Sequence, residues 1–302
     1  MPYSPYTPAC VIEVSGPDAG EFLQGQFSND LSSLETGEMS YGLWLDRKGK
    51  IVADSFVLRR KEEEYLLVSY YCPEALVYER LDSYLIMEDA ELRRRTSSVS
   101  AYCLLGLEDS FELPDGLPLP ADGKFVESQG LIVFAGRRGE GRNFEMLALD
   151  EDSSAAAAAF VDSLEWERVE DAELKALAVR SKCPEIGRGF GSSDLPQELG
   201  LEREAVSFKK GCYLGQEVMA RLNAMGRVRK TLALLRIEFE EGAEALVLPI
   251  DLIDGAGKKQ GQVRSISGDL GLAIVNLGFD GDMLNGAGAS FQLLRGSEEA
   301  DL

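Results

Sequence analysis

The stretch KKGCYLGQE at residues 209–217 contains the side chains best suited to chemistry, a cysteine preceded by two lysines. The 302-residue chain contains no histidine, which excludes Ser-His-Asp and Cys-His catalysis and every histidine-based metal site. If a helix begins near Gly215, Cys212 lies just before its N-terminus, where the helix dipole favours a thiolate. Lys209 and Lys210 would favour the thiolate in the same way. The sequence thus predicts a cysteine that reacts without histidine, against the alternative of an inert small hydrophobe.

The predicted helix after Gly215 also carries charge. Glu217 and Arg221 are four residues apart, which is typical of a surface ion pair worth about 0.3–0.5 kcal/mol. Alternatively, Arg221 faces an anionic ligand and Glu217 accepts a polar N–H. In a chain of net charge −21, a basic cluster here suits a specific anion better than a nucleic-acid backbone, and a solvated basic face is the alternative. The cluster consists of Lys209, Lys210, Arg221, Arg227, Arg229 and Lys230.

Asp54 stands out in the predicted strand IVADSFVLRR. Alternation places Asp54 on the same face as Val52, Phe56 and Leu58. A carboxylate on an apolar face needs a partner or a ligand, and burial would raise its pKa. The alternative places Asp54 at a bulge or a solvated edge.

The register of the hairpin decides which residue meets Asp54. If Leu45 pairs with Lys50 across the turn DRKG, Tyr41 lies directly opposite Asp54 and the two form a phenol–carboxylate pair. A slip of one residue would destroy this arrangement, so the pairing depends on the turn.

The pattern of elements predicts an α+β fold followed by a small all-β domain. Helical segments at 17–34 and 73–85 alternate with strands and a hairpin over 39–60, and a further helix is predicted from residue 153. From residue 231 onward, short strands are separated by Gly- and Asp-containing turns, which favours a small barrel. We therefore divide the chain into residues 1–230, two intertwined α+β domains, and residues 231–302.

Composition limits location and cofactors. The five cysteines are scattered without a C-x-x-C motif, which argues against structural zinc, a disulfide framework and a stably held cluster. No apolar run approaches the ~20 residues of a membrane span, and the N-terminus lacks a secretory pattern. We expect a cytoplasmic protein with reduced thiols, no metal site and no membrane contact. The glycines of GRGFGSSD do not have dinucleotide spacing.

Four stretches occur in an order typical of one known family: SGPDAGEFLQGQFSNDL, YGLWLDRKGKIVADSFV, LPQELGLEREAVSFKKGCYLGQEVMARL and GRVRKTLALL. The chain resembles the YgfZ-type folate-binding proteins, which are relatives of the glycine-cleavage T protein, an aminomethyltransferase. The core K-G-C-Y-x-G-Q-E is specific to the YgfZ branch. The resemblance covers residues 10–280 and is weak between 100 and 165.

The resemblance implies two α+β, ferredoxin-like domains around a central channel that binds tetrahydrofolate, with a C-terminal β-barrel. It implies that Tyr41 and Asp54 approach the folate, with Asp54 near the nitrogen that carries the one-carbon unit. Glu217, Arg221 and Arg229 would belong to the folate site, with the basic residues from Arg221 to Lys230 at the glutamate tail. We expect Cys212, Asp54 and Lys210 to carry the chemistry, with Lys210 and the helix N-terminus activating Cys212.

Two departures distinguish the chain from the T protein and favour the YgfZ branch. Ala53-Asp54 stands where the T protein has paired aspartates, and the T protein lacks the cysteine at Cys212. The branch implies a tetrahydrofolate-binding accessory protein for iron–sulfur cluster assembly or repair, and thereby for tRNA thiolation, with an iron–sulfur client enzyme as partner. A folate-dependent one-carbon transferase and a non-catalytic scaffold are the alternatives. The net charge argues against extensive nucleic-acid contact.

Overall fold

The structure is a computed structural model that describes all residues except 109, 140, 227, 241–245, 296–298 and 300–302. The described chain forms the following strands: β1 (Pro2–Tyr6), β2 (Cys10–Ser15), β3 (Glu38–Leu45), β4 (Ile51–Lys61), β5 (Glu64–Ser69), β6 (Glu91–Arg94), β7 (Ser100–Leu105), β8 (Phe125–Ser128), β9 (Leu131–Ala135), β10 (Asn143–Ala148), β11 (Glu167–Arg168), β12 (Lys230–Phe239), β13 (Ile250–Ile253), β14 (Lys259–Ser267), β15 (Leu270–Asn276), β16 (Met283–Gly286) and β17 (Ala289–Leu293). Its α-helices are α1 (Ala19–Gln26), α2 (Glu74–Asp82), α3 (Glu151–Ser163), α4 (Asp171–Arg180), α5 (Glu202–Ala205) and α6 (Gln216–Met225).

The strands form two open sheets and a closed barrel. The first sheet has the order β3-β4-β5-β2-β6, and the second has the order β11-β1-β7-β10-β9-β8. The barrel closes in the order β12-β15-β14-β13-β16-β17. The predicted α+β fold with a C-terminal barrel is confirmed, whereas the division of the chain at residue 231 stays a prediction.

The two open sheets pack face to face through a shared apolar core. Phe56 and Val68 of the first sheet contribute to it, as do Ile132, Phe134 and Leu147 of the second. The Phe56 and Phe134 ring centroids are 5.0 Å apart. Because β4 alternates, its residues facing this core include position 54, so a carboxylate enters an otherwise apolar layer.

The opposite face of the first sheet is covered by helices and by the outside of the barrel. One cluster joins Leu23 of α1, Val77 of α2 and Met219 of α6 to barrel residues Leu234 and Leu272. The barrel has its own interior core, formed by alternate residues such as Leu235 and Phe291. Helix α3 packs on the outer face of the second sheet.

The hairpin of β3 and β4 has a register that differs from the prediction. Tyr41 lies opposite Phe56, and Asp54 lies opposite Leu43. Leu45 pairs with Ile51, and the pairing shifts between Trp44 and Leu45, which leaves one extra residue in β4. The predicted direct opposition of Tyr41 and Asp54 was therefore wrong by two residues. A two-residue shift keeps Asp54 on the face of Phe56 and Leu58, as predicted, whereas Val52, at the irregularity, packs against the core on the opposite face.

Helix α1 is shorter than predicted. The helix predicted over 17–34 ends at Gln26, and the next residue, Phe27, adopts an extended conformation. The alanine-rich helix α3 is confirmed, and its N-cap Asp150 accepts a hydrogen bond from Ser153 N. Within the described residues, no helix is long and apolar enough to cross a membrane.

Candidate functional site

Asp54 is buried and receives three side-chain hydrogen bonds. Tyr41 Oη donates to Oδ2 at 2.9 Å, and Ser69 Oγ donates to Oδ1 at 2.8 Å. The Cys72 thiol donates to Oδ1 at 3.3 Å. The predicted contact between Tyr41 and Asp54 is thus present, although the two residues are diagonal neighbours across the hairpin.

The position of Asp54 is explained by the end of the neighbouring strand. Pairing of β4 with β5 begins at Phe56 and Val68, and β5 ends at Ser69. The chain then turns, so the donors that reach Asp54 are the hydroxyl of Ser69 and the thiol of Cys72. Burial raises the pKa of Asp54, and the bonds from Ser69, Cys72 and Tyr41 only partly oppose this increase.

Two consecutive arginines, Arg137 and Arg138, follow β9, and the charge of Arg137 acts on Asp54. The Arg137 guanidinium lies over the Tyr41 ring at 4.6 Å and pairs with Glu204 of α5 at 2.5 Å. Its positive charge lowers the pKa of Asp54, but less than burial raises it. Arg138 Nη1 donates to Tyr71 Oη at 2.7 Å.

Arg138 is held by a fully buried ion pair. Its Nε lies 3.1 Å from Oε1 of Glu145, and the same carboxylate oxygen accepts a hydrogen bond from Tyr70 Oη at 2.9 Å. The guanidinium packs over the Tyr70 ring at 3.8 Å. Glu145 therefore fixes Arg138 and Tyr70 at the junction of the two sheets.

These groups surround a small enclosed cavity, which we call the Asp54 cavity. Its wall includes Asp54, Tyr71, Arg137 and the segment 183–186 that follows α4. Its volume is about 10 Å³, close to the minimum that holds one water molecule.

Glu185 contributes a second buried carboxylate to this cavity. Both of its carboxylate oxygens lack a hydrogen-bond partner among the described residues. Arg188 Nη1 lies 3.7 Å from Oε1 and its guanidinium stacks on the Tyr71 ring at 4.1 Å. Buried carboxylate oxygens without donors are costly, so this position is suited to N–H groups supplied by a ligand.

A wider cleft of about 480 Å³ adjoins this region. Lys175 of α4, Arg188 and Arg264 of β14 line it. Arg188 connects the cleft with the Asp54 cavity, because it also contacts Tyr71 and Glu185 of the cavity wall. Arg188 is paired with Asp171 and Arg264 with Asp194, so Lys175 is the cation of this lining without an ion pair to a described residue.

Cys212 lies elsewhere, on the surface ahead of α6. It is exposed, whereas Cys10, Cys72 and Cys103 are buried and Cys183 is partly buried. Helix α6 begins after Gly215, whose φ of +90° is a left-handed conformation that favours glycine. The predicted helix start is confirmed, and so is the place of Cys212 just before it.

Lys210 points into the protein. Its Nζ donates to the carbonyl oxygens of Gln24, Phe27 and Asn29 at 2.7, 2.8 and 2.7 Å. Burial lowers its pKa to about 8, which leaves the ammonium mostly protonated at neutral pH. All three ammonium protons are used by these carbonyls, so Lys210 fastens the Cys212 loop to the end of α1.

The remaining predicted site residues lie on the surface. Glu217, Arg221 and Arg229 are exposed, and none lines the Asp54 cavity or the adjoining cleft. Neither Glu217 nor Arg221 forms an ion pair with a described residue. Arg227, also part of the predicted basic cluster, lies outside the described residues. The structure thus brings Tyr41 and Asp54 together and separates them from the Cys212 surface.

Comparison with known proteins shows which family has this architecture. A family model described as "GCVT N-terminal domain" matches residues 8–108. A protein of Edwardsiella ictaluri named "tRNA-modifying protein YgfZ" is 30% identical over 237 residues, which cover 74% of this chain and 68% of the relative. The chain belongs to the YgfZ family. A protein of the same name from Colwellia psychrerythraea is 24% identical, over 76% of this chain and 70% of its own length.

The fold of this YgfZ-family member is also that of the T protein. The aminomethyltransferase T of the glycine cleavage system from Bartonella henselae superposes with a TM-score of 0.79 at 15% identity. The superposition covers 98% of this chain and 86% of that structure. At this identity the likeness concerns the fold alone, which agrees with the expected arrangement of sheets and barrel.

Sequence reasoning missed several residues of the Asp54 cavity in this YgfZ-family member. Arg137, Arg138 and Glu185 come from segments 80 or more positions away from Asp54 in the chain. The consecutive arginines gave no local signal of burial, because the similar pairs Arg59-Arg60 and Arg93-Arg94 are not buried. Nothing local distinguishes Glu185, because its importance depends on its unpaired oxygens.

Proposed function

We propose that this protein binds tetrahydrofolate at the Asp54 cavity and supports iron–sulfur enzymes through Cys212. One observation carries the folate part of the proposal. Two buried carboxylates, Asp54 and Glu185, line one cavity, and both oxygens of Glu185 lack a donor.

The residues present fit a reduced pterin. Its aminopyrimidine edge offers adjacent N–H donors that match a carboxylate, which is the role we assign to Glu185. Tyr71 and Arg188 provide flat surfaces beside it. Asp54, hydrogen-bonded to Tyr41, would hold or move a proton at a ring nitrogen. Bound tetrahydrofolate would supply a carrier for one-carbon units.

Entry of a pterin requires the cavity to widen. The volume of about 10 Å³ is far below that of typical ligand sites, about 300–1,000 Å³. The mobile parts of the wall would be the segment 183–186 and the Arg137–Glu204 pair, because neither belongs to a sheet. Binding would therefore be accompanied by an outward shift of this wall.

The anionic tail of the folate would lie in the adjoining cleft. Lys175, Arg188 and Arg264 line that cleft, and Arg188 connects it with the Asp54 cavity. The role of Glu217, Arg221 and Arg229 in folate binding stays a prediction, because these residues line neither space.

A calorimetric titration of tetrahydrofolate into the wild type and two variants tests the folate part. We expect Asp54→Ala and Glu185→Gln to weaken binding about tenfold or more, because each loses a charged hydrogen bond worth about 1.5–3 kcal/mol. The exposed variants Asp82→Ala and Glu62→Gln are matched controls and should bind as the wild type does. A wild type that binds no tetrahydrofolate would overturn the proposal.

The Cys212 part requires a separate readout. We expect Cys212→Ser to lose the ability to restore an iron–sulfur enzyme in cells that lack this protein, while its calorimetric affinity for tetrahydrofolate stays unchanged. The two surfaces are distinct, so the variant should separate the two properties. Full restoration by Cys212→Ser would remove the thiol from the mechanism. We assign this activity to the cytoplasm, where reduced thiols such as these five free cysteines persist.

A one-carbon transfer at the same cavity is the second candidate. The raised pKa of Asp54 favours it, because burial makes this carboxyl a stronger proton acceptor than an exposed aspartate. It predicts turnover of a methyl or aminomethyl donor with tetrahydrofolate, and loss of that turnover in Asp54→Asn. Absence of turnover in the wild type with all such donors would exclude this candidate.

A further inference from the structure

The surface around Cys212 is assembled from segments that are distant in sequence. The β3–β4 turn packs closely against the start of α6 at two points of contact, each of which is occupied by a glycine. A Cβ atom added to Gly215 of the helix start would lie 2.8 Å from Asp46 O, and one added to Gly49 of the turn would lie 2.8 Å from Met219 Cε. Arg47 and Lys48 form the tip of this turn and are exposed. The hairpin thus carries two cations to the helix that follows Cys212.

Further cations and an aromatic ring complete this surface, which we call the Cys212 face. Lys209 and Arg221 are exposed, and Phe208 keeps 38% of its surface exposed. The Cys212 face is defined by Arg47, Lys48, Phe208, Lys209, Cys212 and Arg221.

The cations of this face have no ion-pair partner among the described residues. These cations are Arg47, Lys48, Lys209 and Arg221. Some exposed cations elsewhere are paired, as Lys61 is with Glu64, and others, such as Lys258, are not. The nearby Asp46 carboxylate accepts hydrogen bonds from Lys48 N and Lys50 N at 2.8 Å, and Glu217 is the exposed carboxylate of α6. The face therefore keeps positive charge in a protein whose net charge is −21.

We propose that the Cys212 face docks an acidic segment of a protein partner, with an apolar partner side chain over Phe208. The segment's carboxylates pair with Arg47, Lys48, Lys209 and Arg221, and docking brings the partner next to Cys212. This inference goes beyond folate binding and does not depend on it. It identifies the surface that a client enzyme would contact.

A protein segment fits this face better than RNA does. Specific nucleic-acid binding commonly uses about 6–10 phosphate contacts, whereas this face offers four exposed cations. Outside it, the surface of a −21 protein repels a long polyanion. A short acidic segment meets the cations without extending over the acidic remainder of the surface.

Disulfide exchange at Cys212 provides the test. The probes are three peptides of equal length that are rich in glutamate, glutamine or lysine. Each contains one leucine and one cysteine, and the cysteine is activated as its 2-thiopyridyl disulfide. The Cys212 thiolate attacks the peptide sulfur, the mixed disulfide forms, and 2-thiopyridone leaves and is followed by its absorbance. The Cys212→Ser protein gives the background from the other cysteines.

The net charge of the protein predicts that the lysine-rich peptide reacts fastest. The cations of the Cys212 face predict instead that the glutamate-rich peptide reacts fastest. At ionic strength of about 0.15 M, charges farther than about 8 Å are screened, so the nearby cations should dominate. We expect the glutamate-rich peptide to react at least about fivefold faster than the glutamine-rich one. The variant Arg47→Glu with Lys48→Glu should lose this preference and still bind tetrahydrofolate. The control Lys258→Glu with Lys259→Glu, in a barrel hairpin, changes net charge equally and should keep the preference.

Three results would overturn the proposal. One is fastest reaction of the lysine-rich peptide in the wild type. Another is an unchanged glutamate preference in the Arg47→Glu, Lys48→Glu variant with unaltered thermal unfolding. The third is faster reaction of a 2-thiopyridyl-activated oligouridylate than of a glutamate-rich peptide of equal charge, which would assign the face to RNA.

Discussion

At the scale of single residues, Asp54 illustrates how a polar group is accommodated in an apolar layer. Its carboxylate accepts hydrogen bonds from Tyr41, Ser69 and Cys72. These donors reduce the cost of burial but do not remove it, because the pKa remains raised. Keeping this carboxylate buried therefore costs stability.

The raised pKa of Asp54 predicts how stability depends on pH. Below the unfolded pKa of about 3.9, both states hold the proton, and stability is lost as pH rises through the higher folded pKa. We expect the melting temperature of the wild type to fall relative to Asp54→Asn as the pH rises from about 3.9 through the folded pKa of Asp54. Scanning calorimetry measures the difference. An equal change in both proteins would contradict the assignment, and exposed Asp82→Asn serves as the control.

At the scale of elements, the loop before α6 is held by its neighbour α1. The Lys210 ammonium donates to three carbonyls at and beyond the end of α1, where the helix dipole favours a cation. Leu214 N adds a bond to Gly25 O at 3.2 Å. Cys212 is thus presented on a loop whose two ends are both fastened to the same helix.

Replacing Lys210 should loosen this loop. We expect Lys210→Met to lower the free energy of unfolding by about 2–4 kcal/mol, because one buried and two partly buried carbonyls lose a charged donor. Amide hydrogen exchange should accelerate over residues 208–215, and urea unfolding measures the stability. The adjacent exposed Lys209→Met should change stability by about 0.5 kcal/mol or less. Equal effects of the two substitutions would show that Lys210 does not anchor the loop.

At the scale of the whole molecule, Asp194 connects the barrel with the first sheet. Arg264 Nη1 of β14 lies 2.7 Å from Oδ1 and 2.8 Å from Oδ2 of Asp194. The Asp194 carbonyl accepts Ile51 N at the start of β4 at 3.1 Å. The Asp194 side chain is only 2% exposed. Arg264 is the cation paired with it among the described residues, and Gly191 N and Ser193 Oγ donate further hydrogen bonds at 2.9 and 3.2 Å.

Replacing Arg264 alone should therefore lower the free energy of unfolding more than replacing both Arg264 and Asp194. We expect Arg264→Met to destabilise the protein by about 3–5 kcal/mol, since it leaves a buried carboxylate unpaired. Adding Asp194→Asn should restore part of this loss. The exposed pair of the same barrel gives the control, because Lys259→Met should cost about 1 kcal/mol or less. Asp194→Asn alone completes the cycle, and urea unfolding midpoints compare all these variants with the wild type. Additive effects of Arg264→Met and Asp194→Asn would contradict the coupling.

The sequence by itself determined the features that depend on local periodicity. Alternation along β4 identified Asp54 as a carboxylate on an apolar face, and the absence of histidine excluded whole classes of catalysis. The glycine before α6 marked the helix start. The change to short strands near residue 231 indicated the barrel. These features follow from the preferences of neighbouring residues, so they can be read along the chain.

Tertiary structure decided everything that depends on distant segments. An extra residue in β4 set the register, and the side chains of Tyr41 and Asp54 met because the two-residue shift kept both on one face. Glu185 joined the Asp54 cavity only through the packing after α4. Lys210, placed in the sequence beside Cys212, turned inward because three carbonyls of another segment needed its protons. Burial and hydrogen-bond satisfaction are properties of the packed molecule, and no local pattern contains them.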